Sequence, residues 1–166
     1  PAMANEPWMD VLGPWWSKGR TEGSYAREAA NAARCIAFGW IQPLDNQAPP
    51  LRDQAARFTV RMNDTEEAVL SVRYGEGPSS NPGMAYEAKL DSHRHKARFG
   101  FAKVNVGFAP LAEWDLPSGF DFKAPHSLEL RAVADLVTVS LDGRKLGEMR
   151  NGAVVAGHPR AMVRPG

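Results

Sequence analysis

The chain has 166 residues, 43% hydrophobic and 23% charged, which supplies enough apolar side chain for one core and excludes wholesale disorder. Twenty Lys and Arg against 19 Asp and Glu leave a net charge of +1, which excludes a general binder of nucleic-acid backbone or anionic membrane. The single cysteine, Cys35, excludes an internal disulfide and a cysteine-rich zinc site, and it leaves the compartment open.

Pro1-Ala2-Met3-Ala4 reads as a cloning or protease scar, so residues 5–166 are taken as a single domain excised from a larger protein. No stretch approaches about 18 uninterrupted apolar residues, and no basic-then-apolar leader opens the chain, so a soluble domain is expected. Residues 8–40 hold four of the five tryptophans and the alanine-rich stretch 26–33, whose propensity predicts one short helix. Residues 35–41, rich in β-branched and aromatic side chains, read as a strand stopped by Pro43, and 43–50 with three prolines as a loop.

Beyond residue 55 the period is two. Phe58, Val60 and Met62 alternate with Thr59 and Arg61, Asn63-Asp64 turns the chain, and residues 67–74 form a second strand ended by the Gly/Pro/Ser loop 75–83. Residues 84–90 and 97–104 make a hairpin across the polar stretch 91–96. A loop carrying Pro110, Pro117, Gly119 and Pro125 then leads to two alternating strands, Leu128/Leu130/Ala132 and Val137/Val139/Leu141. Asp142-Gly143 supplies a two-residue hairpin turn into a strand at 144–149, and residues 160–164 close the chain as a short strand. About eight or nine strands at this spacing predict an all-β, antiparallel two-sheet sandwich.

The stretch 56–147 resembles the concanavalin A-like or laminin G-like jelly-roll superfamily. The resemblance rests on Ala56-Arg57-Phe58-Thr59-Val60-Arg61-Met62, then Val69-Leu70-Ser71-Val72-Arg73-Tyr74, then Ala85-Tyr86-Glu87-Ala88-Lys89-Leu90-Asp91-Ser92, and on the late strands around Asp142-Gly143. The pairing of Arg73 with the Tyr86–Ser92 strand is most similar to the 3-keto-disaccharide hydrolase-type domains, although Lys89 stands where a Gln is usual and His126-Ser127 where Trp-Asn is usual. The resemblance implies a sugar as ligand. It also implies a closing strand beside residues 157–163, for which either the N-terminal part or a partner chain must serve.

Several constellations bear on chemistry. Arg73, Glu87, Lys89 and Arg98 share parity on neighbouring strands, so a charged sheet face able to hold a polar ligand is expected, with Tyr74, Tyr86 or Trp114 as apolar wall. Glu113-Trp114-Asp115 sets two carboxylates around an aromatic, as glycoside cleavage requires, but Pro117 stands where a third carboxylate would complete the laminarinase-like pattern. Glu87, Glu113 and Asp115 are therefore weak catalytic candidates. His93 and His95 have metal-compatible spacing without a third ligand, and no oxygen-rich calcium loop appears, so no metal or other cofactor is expected. Trp8, Trp15, Trp16 and Trp40 could form a stacking patch, yet early tryptophans in a sandwich more often plug the ends of the core. The expected function is non-catalytic recognition of a carbohydrate, with a protein-interaction module or a sugar-cleaving hydrolase as alternatives.

Overall fold

The computed structural model describes residues 50–63, 65–75 and 81–165, together with the backbone of three short strands nearer the N-terminus. The strands are β1 (Tyr25–Ala29), β2 (Ala32–Cys35), β3 (Trp40–Ile41), β4 (Gln54–Val60), β5 (Thr65–Tyr74), β6 (Met84–Asp91), β7 (Lys96–Lys103), β8 (Gly107–Asp115), β9 (His126–Val133), β10 (Leu136–Leu141), β11 (Arg144–Arg150) and β12 (His158–Pro165). They form a six-stranded sheet in the order β3-β12-β5-β6-β7-β8, a four-stranded sheet in the order β11-β10-β9-β4, and the hairpin β1-β2. Pairing between strands is antiparallel throughout.

Period-two alternation puts one set of side chains from each sheet into a common core. Leu70, Val72, Tyr86, Ala88, Leu90 and Phe99 of the larger sheet meet Leu128, Leu130, Val137 and Val139 of the smaller one. Burial of a Leu or Phe side chain contributes about 1.5–3 kcal/mol, so this layer supplies the main stabilisation. The turn into β11 places Asp142 and Gly143 at positive φ, 52° and 77°, as a two-residue hairpin requires.

Two expectations need correction. The alanine-rich segment is extended, with Tyr25 opposite Cys35 and Arg27 opposite Ala33, and no helix occurs among the described residues. Alanine's helix preference is worth only about 0.7 kcal/mol per residue, and helices shorter than about 12 residues are marginal alone, so strand pairing decides. The segment around Pro110 is strand β8 rather than loop. Pro110 pairs with Gly100 where the register shifts, and β8 is the last strand of its sheet, which is where a residue without an N–H is tolerated. The closing strand expected beside residues 157–163 is β3, with Ile41 opposite Ala161 and Trp40 opposite Met162.

One end of the sandwich is tied by Arg73. Its backbone has φ 57°, and its side chain, 2% exposed, donates to the carbonyls of Arg52 at 2.6 Å, Val154 at 3.0 Å and Ala134 at 2.6 Å. Asn81 Nδ2 donates to the Arg73 carbonyl at 3.1 Å, and Gln54 Oε1 accepts the Arg73 N–H at 2.9 Å. Gly157 packs on this backbone so closely that a Cβ there would lie 2.3 Å from the Arg73 carbonyl carbon.

The loop 116–125, which crosses between the sheets, is held by two histidines. His95 Nε2 lies 3.1 Å from the Pro117 carbonyl, and its ring meets Phe122 edge-on. His126 stacks on Phe120, with Nδ1 2.8 Å from Asp142 Oδ2 and Nε2 2.7 Å from the Asp121 carbonyl. Both partners are acceptors, so only the doubly protonated ring satisfies both. Burial works against that charge, but the hydrogen bonds to Asp142 and Asp121 outweigh it and raise the pKa. A raised folded-state value gives stability that is fully present below the ordinary histidine value of about 6.5 and is lost as pH rises through the higher folded value. We therefore expect the thermal midpoint to fall across that window, and the fall to disappear in His126→Gln. An unchanged pH profile in that variant would remove His126 as its source.

Candidate functional site

The second set of side chains on the six-stranded sheet points away from the four-stranded sheet. Residues directly opposite one another share a face, and the register arranges them in rows. Arg160, Ser71, Glu87 and Gly100 form one row. Met162, Val69, Lys89, Arg98 and Glu113 form the next, followed by Arg164, Glu67, Asp91, Lys96 and Asp115.

Although this face lies outside the core, its centre is buried. Ser71 and Asp91 are 0% exposed, Glu87 5%, Glu67 6%, Arg160 7% and Lys89 8%. Charges at such positions persist only when paired. Lys89 Nζ lies 3.6 Å from Glu67 Oε2 and 3.9 Å from Glu87 Oε1, Arg160 Nη2 lies 4.0 Å from Glu87 Oε2, and Arg164 Nε lies 3.7 Å from Glu67 Oε1. Beside this cluster Asp91 accepts from the Arg94 backbone N–H and side chain, each at 2.9 Å, and sits 3.7 Å from Arg98 Nη1. Arg98 Nε in turn donates to Glu113 Oε2 at 3.2 Å.

Two aromatic rings border the cluster. Phe108 has Lys89 Nζ 4.1 Å and the Arg98 guanidinium 5.1 Å from its centroid, and Tyr74 has the Arg160 guanidinium at 3.5 Å. These are cation–π distances.

The two buried carboxyls with shifted pKa values differ in direction. Burial pushes Glu87 up, against the opposing pull of Lys89 and Arg160. Burial would raise Asp91 as well, but the hydrogen bonds from Arg94 and the charges of Arg94 and Arg98 outweigh it and hold the carboxyl low. Ser71 Oγ, fully buried beside Glu87, has no hydrogen-bond partner among the described residues.

Of the residues singled out in the sequence, Glu87, Lys89 and Arg98 meet on this face, and Glu113 borders it. Asp115, at its edge, is exposed and bonds Lys96 Nζ at 2.8 Å. Arg73, Tyr86 and Trp114 lie elsewhere. The positive φ of Arg73 breaks the strand's alternation and sends its side chain to the carbonyl cradle. Tyr86 faces the core, where its hydroxyl bonds Asn151 Oδ1 at 2.7 Å and accepts the Val154 N–H at 3.2 Å. Trp114 has core parity and packs against Gly147. Trp114→Ala is accordingly expected to cost about 3 kcal/mol of stability, read by denaturant unfolding, with little change in any binding on the outer face. The stacking patch proposed for Trp8, Trp15, Trp16 and Trp40 falls outside the residues whose side chains are described.

The sequence reading missed Glu67, Ser71, Asp91, Arg160 and Phe108. Parity alone could have added Glu67, Ser71 and Asp91. Arg160 and Phe108 depend on the registers of β12 and β8, for which the sequence carries no signal.

Glycoside cleavage needs a pair of carboxylates about 5–9.5 Å apart with room between them. Glu87 and Asp91 are four residues apart on one strand, about 13 Å at the usual rise. Glu67 and Glu87 approach each other more closely, but the Lys89 ammonium stands between them.

The two antiparallel sheets packed face to face form a β-sandwich of the jelly-roll fold. The similar solved structures include the carbohydrate-binding module CBM66 from Bacillus subtilis, with TM-score 0.67 and 16% identity, covering 96% of this chain and 97% of that one. A glycoside hydrolase family 16 endo-glucanase from Bacteroides ovatus has TM-score 0.60 at 9% identity, covering 96% of this chain and 82% of that one. Sheep galectin-11, in complex with glycerol, has TM-score 0.50 at 9% identity, covering 79% and 92%. The fold thus serves both binding proteins and hydrolases. No protein-family model and no curated protein matches the chain.

Proposed function

We propose that this domain recognises a glycan on the outer face of its six-stranded sheet and does not cleave it, with Ser71, Glu87, Lys89, Arg98 and Arg160 as the contact residues. The observation that carries this reading is the buried Lys89 ammonium, 3.6 and 3.9 Å from the Glu67 and Glu87 carboxylates and so beyond hydrogen-bond distance, beside an unpartnered serine hydroxyl. Such a cluster retains donors and acceptors for a polyhydroxylated ligand. The end-to-end likeness to a carbohydrate-binding module supports the same reading, and the ammonium between Glu67 and Glu87 argues against hydrolysis.

The test is a thermal-shift and turnover screen against mono- and oligosaccharides. A ligand at about 100-fold excess over its Kd adds about 2.7 kcal/mol to the folded state. We expect a sugar-dependent shift, no released product, and at least a tenfold loss of affinity in Glu87→Gln with the fold intact. Product formation abolished in Glu87→Gln would replace this reading with a hydrolase. Indifference to every sugar, together with a copurifying protein, would replace it with an interaction module.

A further inference from the structure

Resting on that recognition reading, we infer that the cluster takes an uncharged sugar, held by its hydroxyl groups rather than by ring stacking, and discriminates against uronates and amino sugars. Groups of both signs alternate through the cluster: Lys89 lies between Glu67 and Glu87, Arg160 lies within 4.0 Å of Glu87, and Arg164 borders Glu67. An added carboxylate would gain from Lys89 and Arg160 but meet Glu67 and Glu87 in the same desolvated space, and an added ammonium would meet the reverse. Neither offsets its own desolvation there. A hydroxyl avoids the conflict because it donates to a carboxylate and accepts from an ammonium at once.

The absence of close contacts inside the cluster has the same consequence. Among the described residues none donates a hydrogen bond to the Glu87 carboxylate, and the Lys89 ammonium lies 3.6 and 3.9 Å from its two carboxylates. Ser71 Oγ is buried without a partner on the same row as Glu87. These three groups are one acceptor, one strong donor and one hydroxyl that can do either. The two neighbouring aromatic faces carry cations already, Lys89 and Arg98 over Phe108 and Arg160 over Tyr74, so a ring cannot stack on those faces without displacing them.

Matched sugars test this by calorimetric titration of the intact domain: neutral hexoses, the corresponding uronic acids and the corresponding 2-amino sugars. We expect a neutral sugar to bind and its charged counterparts to bind at least tenfold more weakly. Ser71→Ala, which removes an unpartnered buried hydroxyl, should raise the thermal midpoint while weakening that sugar severalfold, a combination that a merely structural serine would not give. A preference for a uronate or an amino sugar, or unchanged affinity in Ser71→Ala, would overturn the inference and leave glycan recognition standing. Binding of no sugar of any charge would overturn both.

Discussion

Arg73→Met is expected to remove about 3–5 kcal/mol from the folding free energy, a large share of the roughly 5–15 kcal/mol that holds a typical domain. The side chain brings a charge into a site 2% exposed and shares it among three carbonyls from segments far apart in the chain. Burial lowers the Arg73 pKa, with Tyr86 and Asp53 opposing it, and the three carbonyls satisfy the buried guanidinium's donors. Methionine fills part of the volume and orphans the carbonyls, each at about 1–3 kcal/mol when buried. Arg73→Lys should recover part of the loss, since one ammonium cannot reach all three acceptors in the planar fork's geometry. Urea unfolding measures both. A loss below about 1 kcal/mol in Arg73→Met would show that the cradle contributes little.

Gly100→Ala is expected to cost about 2–4 kcal/mol and to disturb the outer face as well. A Cβ at Gly100 would lie 2.1 Å from the Ala109 carbonyl oxygen and 2.8 Å from Phe108 Cζ. The first of these atoms is backbone and cannot yield without moving β8 away from β7 at the point where their register already shifts. The second belongs to the ring that covers Lys89. Wild-type stability with wild-type sugar affinity in Gly100→Ala would contradict this packing. A loss of stability alone would show that Phe108 is not needed to hold the Lys89 ammonium in place.

The strands were legible in the sequence wherever one face meets the core and the other does not, as in Leu128, Leu130 and Ala132, because alternating burial imposes alternating chemistry. The reading failed where pairing overrode local preference. The alanine-rich segment became a hairpin, and Pro110 was accommodated by the edge position and bulge of β8. The charged face was legible for the same reason as the strands, since Glu87, Lys89 and Arg98 keep their parity. Arg73 was misplaced by a single backbone angle, because a residue at φ 57° no longer follows the alternation of its strand. Tyr86 and Trp114 show the converse: aromatics that suit a sugar also suit a core, and parity turns both toward it, Tyr86 fully buried and Trp114 partly. Strand parity puts Ser71 on the outer face, but only the register set it beside Glu87.

The position of β5 has a consequence for biosynthesis. Leu70 pairs with Ala88 on one side and with Ala161 on the other, a partner about 90 residues later in the chain. On the ribosome the β5–β6–β7–β8 meander can form early, but β5 presents an unpaired apolar edge until the last strand leaves the exit tunnel. Folding of the larger sheet therefore waits for β12, and a nascent chain stalled or truncated before His158 is expected to be a chaperone client and an aggregation risk rather than a smaller stable domain.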